Sequence, residues 1–178
     1  MSKRVVLTGG PGFGKSSIIA EIEQRGFYIF PEVARALIQK VVIPEVSLNA
    51  PAFYPDDFAN KIISERIKQF NEAPDGWSFY DRAVPDVIGF LRKDKKAIPD
   101  ETQDVCMKLR YHSHVFITPP WEAIYQKDTE RREDFRDAVK VHKALEEVYT
   151  QLGYTLIAVP MGSIKQRADF VLKHLLLI

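Results

Sequence analysis

Gly9, Gly10, Pro11, Gly12, Phe13, Gly14, Lys15 and Ser16 fit the pattern G-x-x-x-x-G-K-[ST] without a gap. Each residue type in that pattern has a chemical reason. Glycines let backbone N–H groups close around phosphate oxygens, a lysine ammonium bridges the outer phosphates, and a serine hydroxyl ligates Mg²⁺. The run Arg4-Val5-Val6-Leu7-Thr8 before the loop is short, apolar and β-branched, and Ser17-Ile18-Ile19-Ala20-Glu21-Ile22 after it reads as a helix whose N-terminus faces the anion. Strand, loop and helix therefore occur in the order that binding of a nucleoside triphosphate requires, with Ser17 included in the expected contact set. The competing reading is a glycine-rich turn with an incidental lysine.

Ligands of open α/β sheets gather beyond the carboxyl ends of the strands, so the polar residues that follow each apolar run are the next candidates. Asp81 closes the run Trp77-Ser78-Phe79-Tyr80, where a phosphate-loop enzyme places the carboxylate that orients Mg²⁺. A helix cap or a local pair with Arg82 is the alternative. Arg82 suits a substrate or phosphate oxygen through its guanidinium fork, whereas Asp86 can simply stabilise the first turn of the next helix. Glu32, after the second run, stands where a general base for a substrate hydroxyl would sit, and Arg35 follows one turn on as a candidate substrate contact. Acids are also common in any first helical turn, and Arg35 equally suits a surface ion pair.

The segment 125–136 is dense in charge and precedes a long helix. Arginines on a lid supply positive charge to a phosphoryl transition state, so Arg131 and Arg132 are the candidate fingers of a lid spanning about 121–136; a solvated helix start is the plainer reading. His112 and His114 flank Ser113 without a third ligand at a supporting spacing and read as surface or satisfied histidines. Trp121, after two prolines, reads as a packing anchor for the lid hinge, with base stacking as the alternative. The turn Pro160-Met161-Gly162-Ser163 suits either backbone contact with a base or a helix cap at Ser163.

Five strands, at 4–8, 27–30, 77–80, 113–118 and 154–159, alternate with helical patterns, which predicts an α/β fold with a five-stranded parallel sheet flanked by helices. Apolar stripes at Phe58, Ile62, Ile63, Ile67 and Phe70, at Phe135, Ala138, His142, Leu145, Tyr149 and Leu152, and at Ile164, Ala168, Val171, Leu172 and Leu175 predict the core faces of three helices. Lys93-Asp94-Lys95-Lys96 reads as a solvated turn between helices. Residues 43–55, with three prolines, form a long connection that is either a plain surface loop or closes over a substrate.

A length of 178 residues predicts one domain over 1–178. The 25 basic and 24 acidic residues leave a net charge of +1, which provides no overall field for a polyanion, so nucleic acid is not favoured as a partner. One cysteine, Cys106, rules out an intrachain disulfide and fits a reducing compartment. The phosphate loop begins too early to leave room for a secretory signal, and the longest C-terminal apolar run, 175–178, is too short to span a bilayer; a cytoplasmic protein is expected.

The motifs resemble the small AAA-type ATPases and kinases related to the nicotinamide riboside kinase domain of bifunctional NAD-synthesis regulators. The resemblance runs end to end, through Val6-Leu7-Thr8 and the phosphate loop, Pro31-Glu32-Val33-Ala34-Arg35, Asp81-Arg82 with Pro85-Asp86, Pro120-Trp121 with Ile124-Tyr125 and Asp128, and Leu152-Gly153-Tyr154. It implies a P-loop, nucleoside-kinase-like fold with a short lid, ATP and Mg²⁺ as cofactors, and a small-molecule phosphoryl acceptor. Deoxynucleoside kinases are similar too; by that likeness Glu32 would be the base, and Asp81-Arg82 would be the acid and arginine pair after the third strand. A nucleotide-dependent regulatory ATPase or GTPase with a macromolecular or lipid partner is the alternative, although no N-K-x-D guanine-reading motif is present.

Overall fold

The structure is a computed structural model that describes residues 2–40, 58–125 and 134–178. In chain order the elements are β1 (Ser2–Gly9), α1 (Lys15–Gln24), β2 (Tyr28–Phe30), α2 (Val33–Lys40), α3 (Phe58–Asn71), β3 (Gly76–Asp81), α4 (Val84–Lys93), α5 (Asp100–Lys108), β4 (His114–Thr118), a 3₁₀ turn (Glu122–Ile124), α6 (Phe135–Gln151), β5 (Thr155–Ala158) and α7 (Ile164–His174). All five expected strands are present. The segment 43–55 lies outside the described residues.

The strands form one sheet in the order β2-β3-β1-β4-β5, and every pair is parallel. From β1 the chain runs to the β2 edge, returns to β3, then crosses β1 to reach β4 and β5. The connections leaving the neighbours β1 and β4 thus run in opposite directions, which opens a crevice at their carboxyl ends. Register puts Leu7 beside Asp81 and Gly9 beside Thr118, so β1 and β4 end level and β3 ends two residues before them.

Alternation along β1 explains the layers. Val5 and Leu7 pack with Ile18, Ile22, Phe79, Phe116, Val171 and Leu172 on the α1/α7 face, whereas Val6 packs with Tyr80, Val115, Val141, Leu145 and Tyr149 on the α6 face. A parallel strand buried on both faces needs such an unbroken apolar run, which is why it read so clearly. A third cluster, including Ile63, Val87, Ile88, Cys106 and Val148, lies beneath α3 to α5. Ile164 departs from expectation. It opens α7 and is 47% exposed, because the Ser163 cap sets the helix start at the surface: the Ser163 hydroxyl accepts from the Gln166 N–H, and the Gln166 side chain accepts from the Ser163 N–H.

Candidate functional site

The loop from Gly9 to Gly14 leaves β1 and feeds α1, whose first residue is Lys15. Gly14 caps that helix at φ 77°, a left-handed conformation that side chains disfavour. Gly10 is required by close approach instead, since a Cβ there would stand 2.5 Å from the Ala138 carbonyl oxygen of α6. Phe13 is fully buried, with ring centroids 6.4 Å from Tyr125, 5.8 Å from Phe135 and 6.0 Å from His142. One loop residue therefore packs against both chain segments that bracket 126–133. The expected arginines Arg131 and Arg132 lie in that segment, outside the described residues.

Lys15 folds back over the loop, and its Nζ donates to the Gly10 carbonyl at 2.8 Å. Burial first, and the nearby Arg82 guanidinium second, bring its ammonium from 10.5 down to about 7, against the opposing pull of Asp81, Glu32 and Asp86. The Ser16 hydroxyl donates to Asp81 Oδ2 at 2.7 Å. Asp81 is buried at the end of β3, its pKa is raised by burial and by the Glu32 charge, and its Oδ1 has no hydrogen-bond partner.

This arrangement suits a divalent cation, because a buried orphan carboxylate oxygen beside a serine hydroxyl offers the one or two protein ligands that Mg²⁺ takes, with phosphate and water completing its shell. Among the described residues no group of three or more His, Cys, Asp or Glu could hold a metal unaided. His112 and His114 remain outside this site. Tertiary folding brings His174 Nε2 within 3.1 Å of His114 Nδ1, a neighbour that local spacing did not show.

Arg82 ties the site together. Its Nε donates to Glu32 Oε1 at 3.0 Å, and its Nη1 donates to the Gly9 carbonyl at 3.0 Å and to Asp86 Oδ1 at 3.1 Å. Its backbone sits at φ 70°, a strained conformation for an arginine, while its N–H donates to the Leu7 carbonyl. Asp86 does more than cap α4. Besides Arg82 it accepts from Thr8 Oγ1 at 2.6 Å, from the Tyr149 hydroxyl at 2.6 Å and from the Ala83 N–H at 2.9 Å, all buried. Burial alone would raise the Glu32 pKa, but the positive charges of Arg82, Lys15 and Arg66 outweigh it and hold the carboxyl at about 2.

Of the expected residues, the structure gathers Lys15, Ser16, Glu32, Asp81 and Arg82. Arg35 falls on α2 and makes no ion pair with Glu32 or any other described carboxylate, while Glu32 is engaged by Arg82. Sequence reasoning missed Arg66. Its Nη2 donates to the Asp81 carbonyl at 2.7 Å, and its Nη1 reaches the Gln69 side chain at 3.0 Å and the Pro31 carbonyl at 3.4 Å, pinning the ends of β2 and β3 together. The available signal was a charge three residues after Ile63 and four before Phe70, on the apolar face of α3. Arg167, three residues before the end of the Ile164-to-Phe170 stretch of α7, is a second missed cation of this kind: 3% exposed, it donates through Nη2 to the Phe13 carbonyl at 3.0 Å.

The fold is shared with solved P-loop kinases. Deoxyadenosine kinase from M. mycoides, with products dCMP and a flexible dCDP bound, is 16% identical, matches 98% of this chain and 100% of its own, and has a TM-score of 0.66. Thymidylate kinase from Ehrlichia chaffeensis is 11% identical over 98% of each chain, with a TM-score of 0.66. The NadR protein in complex with NR is 13% identical, with 97% of this chain covering 49% of that one at a TM-score of 0.69. No curated protein matches significantly in sequence. The family model described as an AAA domain matches residues 4–167, nearly the whole length, and the chain belongs to that family.

Proposed function

We propose that this protein is a Mg²⁺-dependent phosphotransferase that moves the terminal phosphoryl group of ATP to a hydroxyl of a nucleoside-like small molecule. The observation that carries this reading is the convergence, at the carboxyl ends of three adjacent strands, of Lys15, the Ser16–Asp81 pair and the ionised Glu32 held by Arg82. A binding-only phosphate loop needs Lys15, Ser16 and Asp81; it has no use for a second carboxylate oriented by a strained arginine.

In this reading the loop amides and Lys15 hold the triphosphate, and Ser16 and Asp81 are the residues that would hold Mg²⁺, which when bound would supply neutralisation of charge on the phosphate oxygens. The acceptor oxygen forms the new bond to the γ-phosphorus as the bond from that phosphorus to the ADP leaving group breaks, and the acceptor's proton passes to Glu32. A carboxylate at about 2 is a weak base in the unliganded site. An arriving triphosphate offsets Lys15 and Arg82, which moves Glu32 toward the basicity the step needs. Arg82 fixes the carboxylate, and Arg131 or Arg132, outside the described residues, would supply charge to the transferring group.

The test is ADP release with Mg-ATP, alone and with pools of nucleosides, nicotinamide riboside and other hydroxylated metabolites, with mass spectrometry of the products. The expected result is acceptor-dependent turnover, a product heavier by one phosphoryl group, and a loss of about 10² to 10⁴ in rate for Glu32→Gln at nearly unchanged ATP affinity. Tight nucleotide binding without any acceptor-dependent turnover would sink the kinase reading in favour of a regulatory NTPase.

A further inference from the structure

The guanidinium of Arg167 is buried with no counter-charge among the described residues. Its Nε has no hydrogen-bond partner, no carboxylate among the described residues forms an ion pair with it, and burial alone lowers its pKa. Arg82 and Arg25, by contrast, each engage two carboxylates. A lone buried cation is costly to a fold unless something offsets it.

Its surroundings say what it acts on. Nη2 donates to the Phe13 carbonyl at 3.0 Å, Cζ lies 5.6 Å from the Trp121 ring centroid, and a Cβ on Gly14 would stand 2.5 Å from Nη1. The guanidinium therefore rests directly on the peptide that joins Phe13 to Gly14. In a planar trans peptide the N–H points opposite the C=O. A charged donor gripping the Phe13 carbonyl from α7 turns the Gly14 N–H away from α7 and, by polarising the peptide, makes that N–H a stronger donor.

We propose that Arg167 is a positioning residue of the phosphate loop, fixing and polarising the Phe13–Gly14 peptide so that the Gly14 N–H is presented to the triphosphate, with its uncompensated charge adding to the anion's stabilisation. The proposal rests on the phosphate-loop reading above and adds to it a residue that lies outside the loop motif. No contact between Arg167 and the nucleotide base is needed.

Calorimetric titration of the full chain with Mg-ATP and, separately, with inorganic tripolyphosphate tests it, at about 50 and about 300 mM salt. Arg167→Met should weaken both probes about ten- to a hundredfold and flatten the salt dependence of binding. Arg167→Lys keeps a charge but not the planar fork and should recover part of the loss. Lys165→Met, which removes an exposed charge from the same helix, should bind both probes as the wild type does.

Thermal melts establish that each variant is folded; if Arg167→Met is not, the comparison of Arg167→Lys with wild type decides. Wild-type affinity in a folded Arg167 variant overturns the proposal. So does weakening of ATP alone with tripolyphosphate unchanged, which would make Arg167 a base contact, or an equal loss in Lys165→Met, which would make the effect one of net charge. A wild-type protein that binds neither probe overturns the phosphate-loop reading itself.

Discussion

Replacing Lys15 by Met should stabilise the unliganded fold while destroying its affinity for nucleotide. Lys15 is 5% exposed, and burial together with Arg82 brings its ammonium from 10.5 down to about 7. At about 1.4 kcal/mol per pH unit, that depression corresponds to about 5 kcal/mol carried by the unliganded fold below pH about 7, where Lys15 is charged both folded and unfolded. Between about pH 7 and 10.5 the folded protein has released the proton and the unfolded chain still holds it. The unfolded state then binds more protons, wild-type stability rises with pH, and the remaining cost at pH 9 is about 2 kcal/mol.

Methionine is of similar length and uncharged, and its substitution forfeits the bond from Nζ to the Gly10 carbonyl, about 1 kcal/mol. The net gain for Lys15→Met is thus about 4 kcal/mol at pH 6, shrinking to about 1 kcal/mol at pH 9; at pH 6 this is about 10 °C in melting temperature for a chain of this size. Urea denaturation at both pH values measures the gap, and titration with Mg-ATP should show affinity lower by about one to two decades. A variant no more stable than wild type at pH 6, or a gap that fails to shrink by pH 9, would refute the assignment of a burial cost to Lys15. Undiminished ATP affinity would refute the loop assignment.

Two further substitutions probe the framework around the site. Asp86→Asn replaces one of two oxygens that together accept from Thr8, Arg82, Ala83 and Tyr149, and it should cost about 3 to 5 kcal/mol with a melting temperature lower by about 10 °C; an unchanged melt would mean the hub does not hold Arg82 as described. Gly10→Ala brings a Cβ to 2.5 Å from the Ala138 carbonyl, a backbone atom of α6 that cannot swing aside, and should cost about 1 to 3 kcal/mol and weaken ATP binding in the same calorimetric assay. If the variant melts and binds as wild type does, α6 and the loop are not in rigid contact.

The phosphate loop, the five strands and the helices that cover them were legible in the sequence because each is a local signal. A glycine pattern has fixed spacing, a doubly buried parallel strand needs a continuous apolar run, and a helix repeats its apolar face every three to four residues. The positions of Asp81 and Glu32 at the strand ends were legible too: Asp81 closes one apolar run, Glu32 follows another after Pro31, and sheet topology sends strand ends to one edge.

Partnerships between residues distant in the chain, by contrast, are set only by folding. Arg82 spends its fork on Glu32, Gly9 and Asp86, and Asp86 reaches Tyr149 on a helix 63 residues away, so its part as a hub did not show in its place at the start of α4. Arg66 and Arg167 are charges on apolar helix faces; spacing marks them as anomalies but cannot say that one would reach the ends of β2 and β3 and the other the back of the phosphate loop. The depressed pKa of Lys15 belongs to this second class as well. Its motif position is a property of the sequence, but its charge state is set by burial and by Arg82, which come together only when the chain folds.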